Sequence, residues 1–152
     1  MSQLNAVELA KEVEADIIQW RRDLHQIPEL GLVLPQTVAY VKNVLDGLGI
    51  EYDASYVNGN GIVALIHGKK SELNSDKVLA FRADMDGLPI NEATGLACSS
   101  LNQNMHACGH DIHTASLLGT ARILKQLKSQ VNGVVKLIFQ PAEEVLPGGA
   151  TK

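Results

Sequence analysis

Between Met105 and Thr114 the chain reads Met-His-Ala-Cys-Gly-His-Asp-Ile-His-Thr, which sets a cysteine, three histidines and an aspartate side by side. Further on, Phe139-Gln140-Pro141-Ala142-Glu143-Glu144 puts two adjacent carboxylates after an apolar run. Thiolate, imidazole and carboxylate are ligands for a divalent metal, and a spare carboxylate beside a metal-bound water can act as general base. Cys108 and His110 are separated by Gly109 alone, which permits a tight turn with both side chains facing one ion. Adjacent glutamates at a strand end cannot both point the same way. One can bind the metal while its neighbour takes the proton of the metal-bound water. A third polar cluster, Arg82-Ala83-Asp84-Met85-Asp86, follows another apolar run.

Plainer roles compete at each position. His25 and His67 read as surface or hydrogen-bonded histidines, and His106 fits either reading. Glu143 and Glu144 taken alone could be a solvated loop pair, and Asp84 and Asp86 could be turn residues ahead of Pro89. Asp111 could orient an imidazole, but a helix cap is the favoured role. A structural zinc usually takes four closed ligands with paired cysteines, and a Cys108 nucleophile is the weaker use of that thiol. The combination of Cys108-Gly109-His110 with the glutamate pair favours a single site.

The elements that must position these residues follow from periodicity. Helical spacing over about 5–25 (Leu9, Val13, Ile17, Trp20) ends at Ile27-Pro28, since a proline disfavours helix at the residue before it. A second helix is expected over 37–48, with Gly49 as its stop. Strands are expected over 51–57 and 62–66, joined by a turn at Asn58-Gly59-Asn60-Gly61. A polar connection over 69–76 leads to Val78–Phe81, read as a strand covered on both faces, as is Val134–Phe139. A helix starting near Asp111 should bury Ile112, Ala115, Gly119, Ile123 and Leu127. This pattern predicts an α/β fold, a mixed sheet sandwiched by helices. Open α/β sheets place ligands beyond the carboxyl ends of their strands, where all three polar clusters fall.

Composition narrows the class. The chain has 152 residues, is 45% hydrophobic and 20% charged, and carries a net charge of −4. Its mean hydropathy is +0.02. No basic cluster exceeds Lys69-Lys70, which argues against nucleic acid as partner. No run reaches membrane-span length, and the first residues lack the pattern of a secretory signal. A cytoplasmic setting is expected, in which Cys98 and Cys108 need no disulfide.

With these residues in view, the sequence resembles the metal-dependent N-acyl-amino-acid amidohydrolases. That group includes hippurate hydrolase and the auxin-conjugate hydrolases, a branch of the aminoacylase/carboxypeptidase-type metallopeptidases. The resemblance is carried by Arg21-Arg22-Asp23-Leu24-His25-Gln26-Ile27-Pro28-Glu29-Leu30-Gly31, by 82–90 with Glu92 and Thr94-Gly95-Leu96, by 105–114, and by 139–144 with Pro147-Gly148-Gly149-Ala150. It implies hydrolysis of the amide of an N-acyl amino acid by two divalent ions (Mn, Zn, Co or Ni), with homo-oligomers frequent among intact members. It also implies Cys108, His110 and Glu144 as metal ligands and Glu143 as general acid/base. Asp86, with Asp84 close behind, matches the region of a catalytic aspartate, and His113 matches a histidine of unassigned role. A related dipeptidase would differ only in substrate. Family members are more than twice as long, so 1–152 is expected to be the N-terminal portion of the catalytic domain of a two-domain metallohydrolase. It would lack the lid or dimerisation domain and some histidine ligands. As a separate polypeptide it is expected to be inactive, or a truncated product that binds metal weakly.

Overall fold

In the computed structural model, which describes residues 5–68 and 77–152, the Asn5 side chain accepts a hydrogen bond from Val7 N–H at 3.1 Å. That cap starts helix α1 (Ala6–His25), which buries Val13, Leu24 and His25. Helix α2 (Pro35–Gly47) has proline in its first turn, where a missing N–H costs nothing. The Glu29 carboxylate takes two of the other orphan donors, from Gln36 N at 3.1 Å and Thr37 N at 2.8 Å. Gly49 leaves the helix with φ +61°, in the left-handed region that glycine enters without steric cost.

Strands β1 (Glu51–Ser55) and β2 (Gly61–His67) pair antiparallel across the short turn α3 (Tyr56–Gly59), as expected. The connection expected over 69–76 lies outside the described residues. Strand β3 (Val78–Asp84), helix α4 (His110–Gln126) and strand β4 (Val134–Gln140) form a βαβ unit in which β3 and β4 pair in parallel. β4 also pairs antiparallel with β2, so the four-stranded mixed sheet runs β1-β2-β4-β3.

Ile62, Ala64 and Ile66 of β2 and Val135, Leu137 and Phe139 of β4 alternate onto one face. There they meet Val38, Val41 and Leu45 of α2 and Leu117, Leu118 and Ala121 of α4. α1 packs on α4 rather than on the sheet, and Ile17 of α1 lies directly against Gly119. The α/β class stands, with α2 and α4 covering this one face.

Three expectations need correction. β3 is an edge strand in the described sheet, and Val78, Leu79 and Phe81 are 58%, 57% and 40% exposed, not covered on both faces. β4 alternates between buried and half-buried residues, as a strand covered on one side does. The buried stripe of α4 is wider than expected and rotated. Thr114, Ala115, Leu117, Leu118, Gly119 and Ala121 are buried while Ile112 is exposed, because α4 is packed between the sheet and α1.

Candidate metal centre

Parallel pairing brings the carboxyl ends of β3 and β4 to one edge of the sheet, and Met85 N–H donates to Gln140 O at 2.9 Å just beyond them. The chain then returns through 85–109 and enters α4 at the same edge. Gly109 precedes α4 with φ +86°, a left-handed conformation that a side chain would resist. Its carbonyl accepts from Ile112 N–H at 3.0 Å and His113 N–H at 3.2 Å. The turn thereby places Cys108 and His110 on either side of Gly109.

Cys108, His110 and Glu144 come together: one ligand atom of each lies within 4.8 Å of the others. Ligands held at 2.0–2.3 Å from one ion are at most about 4.6 Å apart, so only small side-chain adjustment is needed for a shared cation. Glu144 Oε1 is buried and accepts no hydrogen bond, with His110 Nε2 3.7 Å away, and a cation would give it a closer counterpart. Glu143 is adjacent to this triad, its side chain 41% exposed and its Oε2 3.8 Å from His110 Nε2, about as near as Glu144 Oε1 at 3.7 Å.

Asp86 sits behind the cluster, 1% exposed. Its Oδ1 accepts from Glu143 N–H at 2.9 Å and its Oδ2 from Glu144 N–H at 3.1 Å. Ala142, with φ +53°, turns those two N–H groups toward the aspartate. His110 Nδ1 lies 3.5 Å from the same Oδ1. Burial pushes the Asp86 pKa up, but the bonds from His110 and the two N–H groups outweigh it and hold the carboxyl below its usual range.

Asp84 accepts at Oδ1 from His113 Nδ1 (2.7 Å) and at Oδ2 from Arg82 (2.6 Å), while its carbonyl takes the Thr114 hydroxyl at 2.9 Å. Burial raises its pKa, and His113, His110 and Arg82 together lower it further than burial raises it. Asp84, His110 and His113 form a second cluster with ligand atoms within 4.8 Å. In it the aspartate is already paired with His113 and Arg82, so it lacks the orphaned oxygen that marks the first cluster.

The electrostatics of the first cluster suit a cation. The adjacent Glu144 carboxylate raises the Cys108 pKa, with smaller contributions from burial, Glu143 and Asp84. Burial pulls the His110 pKa down, but Asp86 and Asp84 outweigh it and the result is raised. Cys98 and Cys108 are both free thiols.

Several of these partners are illegible in the sequence. Asp111 does not cap α4; its carboxylate is buried against His25 and Arg21, because α1 covers that side of the helix N-terminus. His25 is buried and hydrogen-bonded, His67 is exposed, and His106 is 5% exposed with neither ring nitrogen paired.

An α/β sheet with such a cluster beyond parallel strand ends is the architecture of a ligand-binding domain with a candidate metal site. Residues 80–152 match the model of peptidase family M20/M25/M40, and the chain carries part of an M20 peptidase domain. It is 43% identical over 143 residues to an N-acyl-L-amino acid amidohydrolase of Geobacillus stearothermophilus, covering 93% of this chain and 37% of that protein. An N-acetylcysteine deacetylase of Bacillus subtilis is 41% identical over 139 residues, covering 91% and 36%. A crystal structure of a Bacillus subtilis protein, described as a dinuclear metal binding peptidase from the M20 family, superposes with a TM-score of 0.83 at 41% identity, covering 91% and 38%. The chain therefore spans little more than a third of the length of these relatives.

Proposed function

We propose that this chain supplies the first metal ligands and the proton-transferring carboxylate of a metal-dependent amidohydrolase acting on N-acyl amino acids. The observation that carries the reading is the convergence of Cys108, His110 and Glu144, among them a buried Glu144 oxygen that accepts no hydrogen bond. The named activities of the Geobacillus and Bacillus relatives support the substrate class.

A divalent cation at this triad would polarise the scissile carbonyl and acidify a water. Cys108, His110 and Glu144 would hold it. Glu143, the more exposed of the two glutamates and 3.8 Å from His110, would take the water's proton and return it to the leaving amine. Asp86, in the place of the expected catalytic aspartate, orients His110 and fixes both glutamates through their N–H groups. Asp84 holds His113 beside them. The B. subtilis structure supports a pair of ions. Mn, Zn, Co and Ni all suit a thiolate, imidazole and carboxylate set. A cytoplasmic setting, where both thiols stay reduced, belongs to the same reading.

The test uses Co²⁺, whose thiolate charge-transfer band reports Cys108 directly. The chain should bind Co²⁺ with that band. Cys108→Ser should abolish the band and Glu144→Gln should weaken binding by about tenfold or more, whereas Glu143→Gln should bind normally. Turnover is read in a chimera in which this chain replaces the matched 143 residues of the Geobacillus amidohydrolase. There Glu143→Gln should cost about a hundredfold or more, in line with loss of a general base. Full turnover of N-acetyl amino acids by that variant would remove Glu143 from the mechanism.

A second reading, metal binding without turnover by the 152-residue chain itself, is favoured by the three ligands it offers to a single ion. Hydrolysis of an N-acetyl amino acid by the isolated chain with Co²⁺, lost in Glu143→Gln, would rule it out.

A further inference from the structure

The motif from Arg21 to Gly31 contributes no ligand to the metal centre, yet it grips the loop that delivers two of them. His25 is 2% exposed. Its Nδ1 lies 2.7 Å from Asp111 Oδ2 and its Nε2 lies 3.2 Å from Glu92 Oε1. Arg21 Nε reaches the same Asp111 oxygen at 2.8 Å. Glu92 also accepts from Ser100 N–H at 2.6 Å and from the Thr94 hydroxyl. These bonds, the Ser100 one foremost, hold the Glu92 carboxyl down at about 2.

Backbone contacts run between the same two segments. Gly87 N–H donates to Glu29 O at 2.7 Å and Leu101 N–H to Gln26 O at 3.0 Å. The Asn102 and Asn104 side-chain amides both donate to Pro28 O, at 2.9 and 3.1 Å.

Asp111 directly follows His110 in the first turn of α4, and its side chain is fully buried. Fixing its carboxylate fixes the rotation of that turn about the helix axis, and hence the direction in which His110 leaves it. Glu92 lies about a third of the way along the segment between β3, which ends at Asp84, and α4, which starts at His110. One imidazole thus bridges the first half of the ligand-bearing loop and the helix turn that follows its far end.

We propose that His25 is a positioning residue for the metal centre. By clamping Glu92 and Asp111 together it holds the Cys108-Gly109-His110 turn toward Glu144. The inference rests on the metal-centre reading above, and two separate readouts distinguish its failure from the failure of that reading.

The first readout is Co²⁺ affinity. The second is amide exchange at Ile112 and His113 in the metal-free chain, since their N–H groups bond Gly109 O and report the turn itself. His25→Ala should weaken Co²⁺ binding by about tenfold, the low end of what losing a group bonded to a ligand costs, because His25 acts one residue further back through Asp111. It should also speed exchange at Ile112 and His113 by a comparable factor. Val13→Ala, a truncation of a fully buried α1 residue away from the cluster, should change neither by more than about threefold. Glu92→Gln should act in the same direction as His25→Ala and add nothing in its background, because it works through the same imidazole.

Additive losses from the two substitutions, unchanged exchange in His25→Ala, or faster exchange with unchanged affinity would each overturn the proposal. If His25→Ala does not fold, Glu92→Gln carries both readouts, and behaviour like the unsubstituted chain overturns it. A chain that binds no Co²⁺ through Cys108 refutes the metal reading, and with it the positioning role.

Discussion

His106 is the residue whose environment most contradicts its chemistry: an imidazole with neither nitrogen bonded, beside the buried His25–Asp111 pair. Burial pushes its pKa down to about 4. An unfolded histidine titrates near 6.5, so below that pH the unfolded chain takes up a proton that the folded chain refuses. The stability associated with neutral His106 is complete above about pH 6.5. It drains away as pH falls toward about 4, by up to about 3 kcal/mol. Urea unfolding with chelator present should show this loss between about pH 7.5 and about pH 5, and His106→Gln should flatten it. An equal loss in that variant would assign the acid sensitivity to other groups. The residue scale also shows where local reading stops. Cys108, His110 and the glutamate pair could be picked out by type and spacing, with Glu144 singled out by the resemblance, whereas nothing near Asp86 in the sequence announces that it bonds the N–H groups of both glutamates.

At the scale of elements, the site depends on how closely α1 approaches α4. Gly119 makes that approach possible. A Cβ there would press on Ile17 Cδ1 and stand 2.7 Å from Ile17 Cγ1. Gly119→Ala should therefore cost about 1–3 kcal/mol by overpacking, despite the better helix propensity of alanine. A denaturation midpoint equal to or above that of the unsubstituted chain would show that the two helices can separate freely. The helices and strands themselves were legible, since their periodicities of 3.6 and 2 come from local geometry. α1, α2 and β2 fall within a residue or two of expectation. The buried face of α4 was not legible. A helix packed on two sides buries more than one stripe, and the second side was set by α1, a distant segment.

For the whole molecule, the exposed apolar residues of β3 are the most consequential feature. Among the described residues no strand pairs with the outer edge of β3, and Val78, Leu79 and Phe81 stand open on it. Such an edge is a template for pairing with another chain. The chain should associate as its concentration rises, and Leu79→Lys should reduce the association, as read by sedimentation velocity. Equal association in that variant would place the sticky surface elsewhere. No helix among the described residues is long and apolar enough to cross a membrane.

Composition and spacing alone determined the α/β class, the element order and the three polar clusters at strand ends, because each is written in residue types close along the chain. Tertiary structure decided the partners. Asp111 meets His25 across 86 positions and Asp86 meets Glu143 across 57. Such pairs are chosen by which surfaces pack, and packing depends on the shapes of whole elements rather than on neighbours in sequence. That is why the side chains that cluster beyond the strand ends could be anticipated residue by residue, while the groups packed around them could not.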